Sequence, residues 1–186
     1  MPLSRISNNQ IATDAAISAT KLGTMVNANM PTGSVLQVQT TNAKASLGAS
    51  ASTSFVDIGI SCSITPSATS SKILIQFQSS YSTSGDLGQR GSFRLLRDST
   101  VINVGDAAGS RTRGIFPSME VRQTQMSTPV AGCFLDTPST TSAITYKLQV
   151  GAEAGAGNVV VNSTTGADSA THYRGAANLI VMEVAS

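Results

Sequence analysis

Short stretches of strict alternation, bounded by turn residues, constrain this chain more than any other feature. Ile144-Thr145-Tyr146-Lys147-Leu148-Gln149-Val150 sets Ile144, Tyr146, Leu148 and Val150 against Thr145, Lys147 and Gln149. That is the period of two that a half-buried β-strand needs, and it cannot serve as the apolar stripe of a helix. Lys72-Ile73-Leu74-Ile75-Gln76-Phe77-Gln78 repeats it, with Ile73, Ile75 and Phe77 on one face and Lys72, Gln76 and Gln78 on the other. Charged residues make up only 12% of the chain, about half the usual share for a soluble domain. Ser and Thr take their place, and the Lys and Glu that build surface helices are scarce. The expectation is an all-β protein.

Further strands follow from the same reading. Val35–Gln39 and Ser54–Ile58 open the series, and Ile64-Thr65-Pro66-Ser67 marks a strand end and a turn. Ser92–Leu96 and Val101–Val104 flank Arg97-Asp98-Ser99-Thr100, which reads as a hairpin. Val130–Leu135 is mostly apolar and ends at Asp136-Thr137-Pro138, and Val159–Val161 is short and apolar. The last segment, Ala177–Val184, is apolar on both faces and so belongs inside a sheet rather than at its edge. Eight or more short strands with hydroxyl-rich turns predict an antiparallel β-sandwich or jelly roll over 34–186.

Residues 1–33 have a different character. Ile6-Ser7-Asn8-Asn9-Gln10-Ile11 and Ile17-Ser18-Ala19-Thr20-Lys21-Leu22 echo one pattern at an offset of eleven. The aliphatics Leu3, Ile6, Ile11, Ile17, Leu22 and Val26 are isolated among small polar residues, too few to make a core of their own. Asp14 is placed to cap a short helix over residues 15–22 with Gly23 beyond its end, though an extended wrap fits almost as well. Either way the segment is expected to order against a partner, as an attachment and oligomerisation element. Pro31-Thr32-Gly33 reads as the hinge.

Several classes of function find no support. A net charge of +2, with no basic stripe and no Trp, argues against nucleic-acid binding. The longest apolar runs fall far short of a membrane span, and the start of the chain lacks a signal-peptide pattern. His172 is the only histidine, so no acid–base or nucleophilic constellation stands out and the chain is not expected to be an enzyme. No cofactor or metal is expected. Cys62 and Cys133 read as free buried thiols, with a single disulfide as the alternative. Gly105–Val121, carrying Arg111, Arg113 and Phe116, is the best candidate for an extended functional loop. With Arg90 and Tyr81, and with the segment His172-Tyr173-Arg174 before the last strand, it is a candidate surface for a host glycan or protein.

Ser71–Ile75, Phe93–Asp98, Phe134–Pro138, Tyr146–Val150 and Leu179–Val184, taken in order, carry a resemblance. Together they are similar to the C-terminal head domains of bacteriophage tail fibres and other virion proteins. Those heads resemble the trimeric jelly rolls of tumour-necrosis-factor and complement type. The Ile-Ser units near the start are similar to short repeats of phage fibre shafts and attachment segments. The resemblance implies a homotrimer in the virion, bound to other virion proteins through its first 33 residues and displaying its head for host attachment. A capsid decoration, cement or head-fibre protein is the alternative.

Overall fold

The computed structural model describes residues 30–45, 47, 49–83, 89–121, 126–153, 158–163 and 174–186. The expectations placed on residues 1–29 and on His172 and Tyr173 lie outside them. Pro31–Ser186 forms one compact unit, and every regular element among its described residues is a strand.

Eleven strands run in chain order: β1 (Val35–Ala43), β2 (Ala49–Ser50), β3 (Val56–Ile64), β4 (Lys72–Thr83), β5 (Gln89–Arg97), β6 (Thr100–Ile102), β7 (Met119–Val121), β8 (Thr128–Asp136), β9 (Ile144–Ala152), β10 (Val159–Val161) and β11 (Ala177–Val184). All pairings are antiparallel. On one edge of β4, β11 pairs with Lys72–Gln78 and β10 with Tyr81–Thr83, while β8 takes the other edge. The first sheet therefore has four ribbons, in the order β1 with β2, β11 with β10, β4, and β8. The second runs β3, β9, β5, then β6 and β7 sharing the far edge of β5. Counted along the chain, the ribbons lie 1-8-3-6 in one sheet and 2-7-4-5 in the other. That is the winding of a jelly roll, an eight-ribbon sandwich of two packed antiparallel sheets.

The alternation read from the sequence is realised side chain by side chain. Ile73, Ile75 and Phe77 of β4 meet Ile144, Tyr146, Leu148 and Val150 of β9 in the core, with Phe93, Leu95, Leu179 and Val181. Strand β3 runs past the expected Ile58 because Ile60, Cys62 and Ile64 keep the same inward period. Its register slips between Asp57 and Ser61, where Gly59 has φ +83°. Only glycine adopts that angle without strain, so the bulge is written into the sequence at this position. As expected, β11 is internal, lying between β1 and β4. The hairpin at Arg97–Thr100 also forms. Asp98 turns it at φ +53°, donates its backbone N–H to the Thr145 carbonyl (2.8 Å) and accepts the Thr145 N–H on Oδ1 (2.9 Å).

Two buried polar groups close one end of the sandwich. Asp136 of β8 receives Arg97 Nη1 at 2.9–3.0 Å and the Tyr146 hydroxyl at 2.7 Å, which ties the first sheet to the second. Burial and the neighbouring Asp136 carboxylate push the Tyr146 phenol up, so it stays a donor. Glu183 of β11 is fully buried and accepts the Ser67 backbone N–H (2.7 Å), the Ser67 hydroxyl (2.6 Å) and Gln37 Nε2 (2.6 Å). Desolvation alone would raise its pKa, but hydrogen bonds from Ser67, Ser71 and Gln37 outweigh it and hold the carboxyl below its ordinary value. At the same end the Gly33 N–H reaches the Ala185 carbonyl (2.8 Å) and the Ala185 N–H returns to the Ser34 carbonyl (2.9 Å).

The cysteines are both free, as expected, but only Cys62 is buried. Cys133 is exposed, which corrects the reading of two buried thiols. It pairs with Gln76 on β4, whose side chain faces outward, so Cys133 faces outward too.

Candidate functional site

Two surfaces stand out, and both follow from which residues the strand registers bring side by side. The first is the outer face of the first sheet. Val38 of β1 lies opposite Met182, Met182 opposite Leu74, and Leu74 opposite Leu135. One apolar row thus crosses all four ribbons. Val38 and Leu135, at its two edges, are 52% and 47% exposed. The next row is Thr40, Ile180, Gln76 and Cys133; the one after, Asn42, Asn178, Gln78 and Ala131. Val35 (50% exposed) and Val184 extend the apolar end, where Lys72 is the only charge among these paired positions. The sequence already held the clue in the two-sided apolar character of β11. Its outward residues Ile180, Met182 and Val184 remain half-exposed in the isolated chain.

The second surface is a cleft of about 740 Å³ at one end of the second sheet, within the roughly 300–1,000 Å³ usual for small-ligand sites. Its floor is the start of β5 (Gly91, Ser92) beside the end of β9 (Gly151, Ala152). Phe55 leans on Gly151, where a Cβ would stand 3.0–3.2 Å from its ring, so only glycine lets the ring lie this close. The Arg94 guanidinium covers the ring at 3.9 Å, a cation–π contact. The opposite wall is the loop before β7, pinned by Ser92 Oγ donating to the Phe116 carbonyl (2.7 Å) and the Ile115 N–H donating to the Phe93 carbonyl (2.8 Å).

Charge in the cleft is arranged by pairing. Arg90 and Glu120 are register partners across β5 and β7, with Nε 3.5 Å from the carboxylate. On its other side Arg90 Nη1 stands 3.7 Å from Glu153, whose Oε1 also accepts the Ser118 hydroxyl at 2.9 Å. Arg111 lines the same cleft, exposed, with no ion-pair partner among the described residues. Arg113 lies just behind it: Arg113 Nε donates to the Gly105 carbonyl (2.6 Å), and Arg94 Nε to the Arg113 carbonyl (2.8 Å). Burial, helped by the Arg113 charge, lowers the Arg94 pKa.

Of the residues singled out from sequence, Arg90, Arg111 and Phe116 converge on this cleft and Arg113 borders it. Arg174 is exposed, just ahead of β11, and does not line it. Phe116 is half-buried and packs against Phe77 in a T-shaped pair, ring centroids 6.2 Å apart. Tyr81, expected to offer a ring face to a sugar, is instead fully buried, its hydroxyl bonded to the Met119 carbonyl. Burial pushes its pKa up to about 12. Phe55, Ser118, Glu120 and Glu153 were not foreseen, because pairings remote in sequence bring the two glutamates to Arg90 and the Phe55 ring onto Gly151. Among the described residues no cluster of three or more His, Cys, Asp or Glu could hold a metal. No protein-family model matches the chain, and no curated protein matches it.

Proposed function

We propose that the chain is a structural protein of a bacteriophage virion: a short trimeric fibre whose first 33 residues anchor it and whose jelly roll attaches to the host surface. The observation that supports this best is the apolar row Val38–Met182–Leu74–Leu135 on the outer face of the first sheet. Aliphatic surface of this kind is stabilised by burial, at about 1.5–3 kcal/mol for each large side chain fully covered. The occupant proposed is the same face, or the adjoining edge, of two further copies. With a single charge among its paired positions, the face brings little like-charge repulsion when copies meet. Three linked heads would then multiply weak contacts to a host through effective concentration.

Sedimentation equilibrium of the full chain at micromolar concentration tests this. A trimer in which Cys133 resists alkylation, and reacts once the protein is unfolded, is the expected result. A stable monomer, or a trimer with Cys133 freely reactive, would overturn the assigned face. Removing residues 1–30 should leave a trimeric head that no longer joins the particle. Loss of the trimer in that variant would assign the apolar face to the N-terminal segment instead. A head that never binds host cells, with particles that lose shell stability in its absence, would move the protein to the cement class.

A further inference from the structure

We infer that the cleft between Phe55, Arg90 and Arg111 binds a saccharide that carries a carboxylate. This deepens the attachment reading by naming the ligand class, and it rests on that reading for the ligand's source.

The argument starts from the charge balance. Four guanidinium groups, Arg90, Arg94, Arg111 and Arg113, line or border the cleft against two carboxylates, Glu120 and Glu153. Arg90 stands between both carboxylates. Arg94 and Arg113 donate to backbone carbonyls, and neither has a carboxylate in ion-pair reach among the described residues. Arg111 also faces the opening with no carboxylate in ion-pair reach among the described residues. A ligand anion placed at Arg111 would relieve that excess, and a guanidinium donates two parallel hydrogen bonds to a carboxylate.

A bare anion fits less well, because Glu120 and Glu153 flank the same space and would repel it. The acceptor capacity of Glu153 points elsewhere. It takes the Ser118 hydroxyl on Oε1 at 2.9 Å and stands 3.7 Å from Arg90, beyond good hydrogen-bond distance. A carboxylate offers about four lone-pair sites, so Glu153 can accept ligand hydroxyls beside that bond. The Thr53, Thr112 and Ser118 hydroxyls line the same walls. Phe55 and Phe116 give a small apolar surface for the C–H groups of a sugar ring. The Phe55 ring is already engaged, by Arg94 at 3.9 Å and by the backbone at Gly151. Recognition therefore leans on charge and hydroxyl pairing, with aromatic stacking secondary. One anionic group beside several hydroxyl donors describes a uronic- or sialic-type sugar.

Isothermal titration of the full chain with uronic- and sialic-acid oligosaccharides, each paired with its methyl ester, tests the inference. Esterification removes the charge and keeps every ring hydroxyl. At least one free acid should bind about tenfold or more tighter than its ester, because a guanidinium–carboxylate hydrogen bond is charge-assisted. Arg111→Gln should erase that difference, and Glu153→Gln should weaken acid and ester alike. Equal binding of acid and ester, no binding by any acid, or an unchanged preference in Arg111→Gln would each overturn it. So would inorganic phosphate competing as well as the sugar, which would make the cleft a plain anion site. Repeating the titration on Leu135→Lys separates the two proposals. Binding by a monomer keeps the cleft assignment whatever becomes of the trimer.

Discussion

The two outer faces of this sandwich are built on the same backbone plan and make opposite use of it. On the second sheet, Asp57 of β3 takes Lys147 Nζ at 2.8 Å and Gln149 Nε2 at 2.7 Å, and Ser63 and Thr145 share a hydrogen bond of 2.8 Å. At these positions polar groups satisfy one another, and this part of the face is complete as a solvent-exposed surface. The matching positions of the first sheet hold Val38, Met182, Leu74, Ile180 and Leu135, with no such pairing to make. An antiparallel sheet tolerates water on one side, and here only one side is prepared for it. The contrast teaches that a period-two pattern identifies the core face reliably, while the character of the other face says what the fold does next.

The largest effect should come from charging the apolar row. Leu135→Lys places an ammonium in each proposed contact and should weaken assembly about a hundredfold or more, since an unpaired buried charge costs several kcal/mol. Sedimentation reads this directly, and the variant should stay folded because Leu135 points outward. The mirror change Lys147→Leu, on the other face, should leave assembly where it was. A trimer lost to Lys147→Leu and kept in Leu135→Lys would reverse the assignment of the two faces.

Next in size are the groups that close one end of the sandwich. Arg97→Ala strands the Asp136 carboxylate, whose side chain is only 8% exposed, and should cost about 3 kcal/mol of stability in urea unfolding. Measuring it on the monomeric Leu135→Lys background keeps subunit association out of the result. Glu183→Gln should cost about 2 kcal/mol, because it replaces charge-assisted hydrogen bonds with neutral ones.

Acid sharpens the same comparison. The folded-state pKa of Glu183 lies below its ordinary value of 4.5. Its contribution is therefore fully present above that value and lost as pH falls through the lowered one. Wild type and Glu183→Gln should converge in stability at the acid end of a pH series; a constant gap would deny the carboxylate its role. Asp57 is also held low, by Lys147 first and Gln149 second, and has the same sign. It is half-exposed and screened, so Lys147→Ala should cost under about 1 kcal/mol and less in high salt.

How far the sequence foretold all this depends on the range of the interaction. Alternation is local, so the strands around Ile73, Tyr146 and Leu179 were legible residue by residue, and so was the internal place of β11. The hairpin at Asp98-Ser99 was legible for the same reason. The apolar row was only half legible. Ile180 and Met182 were visible on β11, but nothing local says that Val38, Leu74 and Leu135 stand beside them. The cleft was less legible still. Arg90, Arg111 and Phe116 could be picked out by type, whereas Glu120 and Glu153 join them only through strand pairings remote in sequence. Tyr81 misled because its neighbours Ser79, Ser80 and Ser82 make β4 look polar where it turns inward. Cys133 misled through an apolar strand that buries only alternate residues.

The bonds joining Gly33 and Ser34 to Ala185 have a mechanical meaning. They sit at the end of the sandwich that Glu183 and Asp136 close, whereas the cleft opens where β5 begins and β9 ends. A nine-residue strand separates the two by about 30 Å. Tension between an anchored Pro31 and a ligand in the cleft would run along the strands. The β1–β11 hydrogen bonds lie across that direction, so the ladder from Val38 to Ala43 would be sheared together rather than unzipped one bond at a time.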